Sequence, residues 1–122
     1  MAKILIVGTN SFVGTNFKKY SQYKDIKCVS LVENSPDEIA YHGYDVVLHL
    51  AAIVHQNKSI PDTEYFRVNR DLCLEVARSA KKAGVGQFVF MSTIKVYGDE
   101  GASKDVLDEN SPCNPQEAYG KS

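Results

Sequence analysis

The chain closes on Tyr119-Gly120-Lys121-Ser122, a stretch whose residue types could move protons. A tyrosine followed four residues later by a lysine makes an acid/base pair on a helix, because positions i and i+4 lie on one face. The ammonium favours the phenolate, so the phenol can trade a proton with a substrate hydroxyl. Position 123 lies beyond Ser122, and Lys121 cannot substitute, since two residues on it points to the far side of the helix. The expectation is an active-site motif interrupted by the end of the chain. The competing reading is a solvated turn, and the rest of the sequence must decide between them.

A second chemical feature sits at the other end. Gly8-Thr9-Asn10-Ser11-Phe12-Val13-Gly14 separates an apolar run from a helical pattern. In that context Gly8 suits a tight turn and Gly14 lets a helix pack close to a sheet. The helix start then offers free N–H groups and partial positive charge to a pyrophosphate. Ser11 stands where the usual pattern has its middle glycine; it either bonds a phosphate or caps the helix. Glu33, nineteen residues past Gly14, is read as closing the second strand, where an acid can accept hydrogen bonds from an adenosine ribose. No lysine or arginine follows within residues 34–38, so NAD is expected over NADP.

Alternating elements must position these groups. Residues 3–7 are an apolar run of the kind found in strands buried on both faces. Residues 12–23 carry Phe12, Val13, Phe17 and Tyr20 at helical spacing, with Asn10 or Ser11 placed to cap them. Residues 27–32, 45–50 and 87–91 read as further strands. Residues 61–83 form the longest helix candidate, with Phe66, Asn69, Cys73, Val76, Ala77 and Ala80 on one face and Gly84 as its stop. The stretch 98–115 is polar, with Asp108, Asn110, Pro112 and Asn114 as turn residues. The fold class expected is α/β, a Rossmann-like parallel sheet with flanking helices and right-handed crossovers. Only about a dozen residues separate Glu33 from Asp45, close to the minimum for one crossover, so residues 36–41 should hold no more than one helical turn.

Bulk composition narrows the class. The 122 residues suffice for one domain with a real core and not for two. Apolar content of 43% and charged content of 24% are those of an ordinary globular protein, and a net charge of −1 leaves no footprint for nucleic acid. Gly8 interrupts the N-terminal apolar run too early for an export signal, and no run approaches the ~18 residues of a membrane span. Cys28, Cys73 and Cys113 lack metal-ligand spacing. Cys28 and Cys73 are expected as buried, reduced thiols of a cytoplasmic protein.

Three further blocks join the two ends: His49-Leu50-Ala51-Ala52, Val68-Asn69, and Met91-Ser92-Thr93-Ile94-Lys95-Val96-Tyr97-Gly98. In this order the sequence resembles the extended short-chain dehydrogenase/reductases, and within them the NAD-dependent epimerase/dehydratase group acting on nucleotide sugars. The resemblance covers all 122 residues but only the N-terminal part of such an enzyme. It therefore implies a truncated NAD-binding domain over 1–122, without the substrate lobe, and a sheet in the order 27–32, 3–7, 45–50, 87–91.

The resemblance also implies roles. Tyr119 matches the acid/base tyrosine, and Thr93 the active-site Ser/Thr that holds the reacting sugar hydroxyl, with Ser92 as the fallback. Gly8, Asn10, Ser11, Phe12, Val13, Gly14, Glu33, Leu50, Ala51, Ala52 and Asn69 match cofactor-side positions. Asn69 is equally readable as structural, because a polar group on an apolar face needs a partner. His49 is expected to be a packed strand residue and His55 a loop residue able to face substrate. Epimerase chemistry through transient oxidation of a sugar hydroxyl leads, and reductase chemistry follows. Dehydratases of the group carry Asp-Glu directly after the threonine, where this chain has Ile94 and Lys95. Self-association, or a homodimer, is expected where the absent helix leaves apolar surface uncovered. Two rivals share part of the pattern: a cofactor-gated regulator without chemistry, and a flavodoxin-like interaction domain.

Overall fold

A computed structural model describes residues 1–54, 59–98 and 106–122. Its centre is a four-stranded parallel sheet of β1 (Ile4–Val7), β2 (Ile26–Val29), β3 (Val46–His49) and β4 (Gln87–Phe90), in the order β2-β1-β3-β4. That is the order expected from the sequence. The ladder aligns Val7 with Val29 and His49, and His49 with Phe90, so all four strands finish at one level.

All four side chains of β1 are buried, because helices or crossovers cover both faces of a central parallel strand. Leu5, Val7 and Val47 pack with Ile39, Tyr41, Val76 and Ala80 on one face, and Ile4, Ile6 and Leu48 meet Phe17 and Tyr23 on the other. Truncating the fully buried Ile6 to alanine should cost roughly 2–5 kcal/mol.

Helix α1 (Phe12–Tyr20) covers the second of these faces and places Lys18 and Lys19 in its last turn, where the helix dipole favours cations. The first face carries one continuous helical run over residues 62–82. It comprises α2 (Asp62–Tyr65), a π-helical segment (Phe66–Leu72) and α3 (Cys73–Lys82). The apolar spacing predicts Phe66 on the buried face, but Tyr65 is buried instead, together with Asn69, Val76 and Ala80. The wider π turn shifts the register of everything before it by about one residue, which a 3.6-residue template does not anticipate.

The crossover from β2 to β3 is short, as expected, with one 3₁₀ turn at Pro36–Glu38. The Tyr41 hydroxyl donates to the Pro36 carbonyl at 2.9 Å and pins this crossover to the core. Burial, helped by nearby Asp37, pushes the Tyr41 phenol up to about 12, so it stays a donor throughout the working pH range. A second 3₁₀ turn (Ile94–Tyr97) follows β4, and a short helix, α4 (Ala118–Lys121), carries the tyrosine. Among the described residues no helix is long and apolar enough to cross a membrane.

Candidate active site

At the end of β1 the chain turns at Gly8, whose φ is +122° and whose N–H donates to the Val29 carbonyl at 2.8 Å. A Cβ built on Gly8 would lie 2.8 Å from the Ala51 backbone nitrogen, so the end of β3 closes over the turn and only glycine fits. Asn10 takes φ +59°, a left-handed conformation that asparagine tolerates better than most residues. Ser11 then caps α1, accepting from the Gly14 N–H at 2.9 Å. Capping occupies its lone pair and leaves its O–H free to donate. Gly14 is buried, with Leu50 Cδ1 3.2 Å from where a Cβ would stand. The glycine turn and the start of α1, through Gly8, Thr9, Asn10, Ser11 and Gly14, line a cleft of about 190 Å³.

Besides the turn itself, Thr15, Lys18 and Cys28 line that cleft, and the sequence reading named none of them as site residues. Cys28 corrects an expectation. It lies in β2, but β2 is a sheet edge and Cys28 is exposed rather than packed in the core. The signal that could have found Lys18 is its spacing, one helical turn beyond Gly14 on the sheet-facing side.

Glu33 departs from expectation in a second way. The second strand ends at Val29, and Glu33 stands exposed in a turn four residues later. Ser30 accounts for this: its carbonyl accepts both the backbone N–H of Asn34 (3.2 Å) and its side-chain amide (3.1 Å), curling the chain out of the ladder early. The strand-end place is thus held by Ser30, whose hydroxyl accepts from the Val32 N–H at 3.1 Å.

On the other side of β1, Leu50 and Ala51 both donate backbone N–H groups to the Val7 carbonyl, at 2.8 and 2.9 Å. This leads the chain across the mouth of the glycine turn, with small Ala51 half-buried and Ala52 exposed. His49, just before, is 1% exposed and lies against the rings of Phe88 and Phe90, at 5.9 and 6.4 Å between centroids. Neither ring nitrogen has a well-formed hydrogen bond. Burial holds the imidazole below its ordinary pKa, and proximity to the Ala51 backbone offsets this only in part. His49 is therefore a neutral packed residue, as expected, and no general base. His55 lies outside the described residues.

Asn69 is buried on the π-helical segment and grips the loop after β3 with both ends of its amide. Its Oδ1 accepts from the Ile53 N–H at 2.7 Å and its Nδ2 donates to the Ile53 carbonyl at 2.9 Å. The remaining Nδ2 proton reaches Ser122 Oγ at 3.2 Å. The structural reading of Asn69 is the one its bonds support: it holds the loop that follows Ala51 and Ala52.

Thr93 caps the 3₁₀ turn after β4, its Oγ1 accepting from the Lys95 N–H at 3.3 Å, and Ser92 is exposed beside it. Helix α4 docks on this turn through Gly120. A Cβ there would sit 2.6 Å from the Lys95 carbonyl oxygen, so the absence of a side chain is what lets the tyrosine-bearing helix approach. The Tyr119 ring packs on the Tyr65 ring at 6.4 Å, and Ser122 Oγ donates to the Tyr119 carbonyl at 3.0 Å. Tyr65, Gly120 and Ser122 were not foreseen, because their roles depend on contacts between segments distant in sequence. The turn that bears Thr93, the helix that bears Tyr119, Asn69 and the loop after β3 are thus linked by contacts through Lys95, Ser122 and Ile53, and the same loop lies against Gly8 of the glycine turn.

The sequence profile of the NAD dependent epimerase/dehydratase family matches residues 4–122. The chain belongs to this family. NAD is accordingly the cofactor of its family. A curated relative from Escherichia coli O157:H7, N-acetyl-alpha-D-glucosaminyl-diphospho-ditrans,octacis-undecaprenol 4-epimerase, is 31% identical over 98% of this epimerase/dehydratase-family chain and 40% of its own length. UDP-glucose 4-epimerase of Vibrio cholerae is 29% identical over 98% of the chain and 43% of its own length. A short-chain dehydrogenase/reductase superfamily protein from Agrobacterium tumefaciens, solved with bound NAD, superposes with a TM-score of 0.78 at 25% identity, covering 98% of this chain and 41% of that one. The chain thus spans less than half the length of these relatives.

The residues present fit the pyrophosphate of a dinucleotide. The start of α1 with its partial positive charge, Ser11 and Lys18 line one cleft, and no acid lines it. At about 190 Å³ it is smaller than the ~300–1,000 Å³ of a whole ligand site, as suits the diphosphate alone. Among the described residues no cluster of His, Cys, Asp or Glu is arranged to hold a metal ion.

Proposed function

We propose that this chain is the cofactor-binding part of an NAD-dependent 4-epimerase acting on a diphosphate-linked hexose, with a UDP-sugar as the first substrate to test. The observation that carries this reading is the docking of α4 on the Thr93 turn. It puts the helix that bears Tyr119 in contact with the turn that bears Thr93, and Asn69 links the end of that helix to the loop that follows Ala51 and Ala52. In this reading Thr93 Oγ1 donates to the reacting sugar oxygen, and Tyr119, starting as the phenolate, takes the hydroxyl proton and later returns it. When bound, NAD supplies a reversible hydride acceptor for the carbon bearing that oxygen, so that return to the opposite face inverts the centre. Ala51 and Ala52 leave room beside the glycine turn, and Lys18 adds positive charge to the pyrophosphate cradle.

Ile94 and Lys95, where dehydratases of the group hold acid/base residues, argue against elimination. Isoleucine moves no proton, and Ile94 is 70% exposed. The alternatives are a 4-reductase running half of the same reaction and a non-catalytic NAD-binding regulator. The catalytic lysine and the sugar-binding lobe would belong to a longer protein of which residues 1–122 form the Rossmann domain, and this chain alone would turn over no nucleotide sugar. We further propose a cytoplasmic setting with reduced thiols, all three cysteines being free. Self-association through the uncovered apolar positions Phe90, Met91 and Ile94 belongs to the same reading.

The test is a fluorescence titration of this chain with NADH, using NADPH as the control, and a Tyr119→Phe substitution in the full-length enzyme. Saturable NADH binding with loss of epimerisation in the variant supports the reading. A folded sample that binds neither nucleotide overturns it, and a variant that keeps a regulatory response favours the non-catalytic module.

A further inference from the structure

Helix α4 is tied to the rest of the chain at three places. One is steric, Gly120 against the Lys95 carbonyl, and one is the Tyr65 ring against Tyr119. The third is a side-chain hydrogen bond between the end of α4 and the 62–82 helix, Asn69 Nδ2 to Ser122 Oγ, 3.2 Å. Ser122 passes it on, since its own proton goes to the Tyr119 carbonyl at 3.0 Å.

Asn69 can make that bond in only one amide orientation. With Nδ2 toward Ser122 it donates, and flipped it would present Oδ1 there instead. The Ile53 backbone sets the choice, because its N–H demands Oδ1 (2.7 Å) and its carbonyl demands Nδ2 (2.9 Å). Ile53 follows directly on Ala51 and Ala52, and the Ala51 nitrogen packs against Gly8 of the phosphate turn. A single chain of contacts therefore runs from the glycine turn through the loop after β3, the Asn69 amide and the Ser122 hydroxyl to the residue that bears the phenol.

We propose that Asn69 and Ser122 form a hydrogen-bonded relay that couples occupancy of the dinucleotide cleft to the ordering of the Tyr119 turn, with Ser122 as its positioning residue. The proposal rests on the cofactor reading above. Binding that orders residues 51–54 fixes the Asn69 amide and so strengthens the tie to Ser122. By linkage, ordering of α4 favours the bound loop by the same factor. The phenol is then held in place when the cofactor is present and held less firmly when it is not.

Amide hydrogen exchange of this chain, with and without saturating NADH, tests the relay. The readout is the amides of Lys121 and Ser122, which donate to the Glu117 and Ala118 carbonyls at 3.0 and 2.9 Å. NADH should slow their exchange by roughly fivefold or more, along with the amides of 8–14 and 51–54, a factor of the size usual for coupling between sites. In Ser122→Ala the protection at 8–14 and 51–54 should persist while the NADH-induced gain at Lys121 is lost, and Ser122→Thr should restore it. A merely structural contact would lower protection equally with and without NADH and leave the induced ratio unchanged; that result overturns the relay. Protection at 8–14 and 51–54 with no change at Lys121 in the unsubstituted chain also overturns it while leaving the cofactor reading intact. No NADH-dependent protection anywhere overturns both.

Discussion

The two ends of the site are built on opposite principles. The conformation of the glycine turn is set mainly by residues within a few positions of one another, with Val29, Leu50 and Ala51 closing around it: Ser11 caps Gly14, Asn10 supplies the left-handed step, and Gly8 turns the chain. The tyrosine turn is made by residues far apart in sequence, with partners at Lys95, Tyr65 and Asn69. A phosphate site can be preformed locally because backbone N–H groups at a helix start need only the right turn. A proton-transfer site must bring side chains from several strand ends to one point, and each helper adds a separate dependence. Damage to the first region should therefore be local and severe, and damage to the second graded and transmitted.

The largest effect is expected from Gly8→Val. Positive φ and a Cβ 2.8 Å from the Ala51 nitrogen should cost about 1–3 kcal/mol in backbone strain and displace the loop over the turn. NADH affinity should drop by on the order of 100-fold in a fluorescence titration, and a variant that still binds within threefold of the original would remove the close-packed turn from the account. Next comes Gly120→Ala in the full-length enzyme. Lifting α4 off the Lys95 carbonyl should lower kcat by roughly 10–100-fold while the NADH dissociation constant stays within about twofold, the split that separates the two regions. Equal loss of both parameters would mean that the regions are one unit.

A third expectation concerns His49, which lies between them. Its folded-state pKa is held below the ordinary 6.5 by burial, so below that pH the unfolded chain binds more protons than the folded one. Stability to urea should be constant above about pH 6.5 and decline as the pH falls from there toward the folded pKa. His49→Leu, which keeps an apolar group between Phe88 and Phe90, should flatten that part of the curve, and an unchanged slope would assign it to other groups. Smaller still, Ser11→Ala should lose about 1 kcal/mol from the missing cap, whereas Ser11→Gly should lose only a few tenths. Smallest is Glu33→Gln: because this acid is solvent-exposed and set back from β2, the NADH dissociation constant should change by less than about threefold. A tenfold change would restore Glu33 to the ribose position.

The same contrast explains what could be read in advance. The single turn at Pro36–Glu38, the cap at Ser11 and the packed place of His49 follow from short-range pattern and spacing, whereas the strand order was legible through the family resemblance. Glu33 was misplaced because alternation does not reveal where a ladder stops. The turn that ends β2 depends on Asn34 folding back to the Ser30 carbonyl, and apolar Leu31 and Val32 disguise it as strand. Cys28 was misplaced because exposure of an edge strand depends on how far α1 reaches over it. Asn69 was found, but not its bonds, since Ile53 and Ser122 lie 16 and 53 residues away.

The π-helical segment Phe66–Leu72 has a consequence for how this site could be lost. A helix advances about 100° per residue, so removing any one residue between Phe66 and Leu72 would let the segment relax to an ordinary α-helix while swinging Tyr65 and its neighbours around the axis. The altered chain could keep a helix and a core, yet the grip on Ile53 and the bond to Ser122 would no longer point the same way. The spacing in this stretch matters as much as its composition, and a scan of substitutions alone would never sample that vulnerability. Single-residue deletions would.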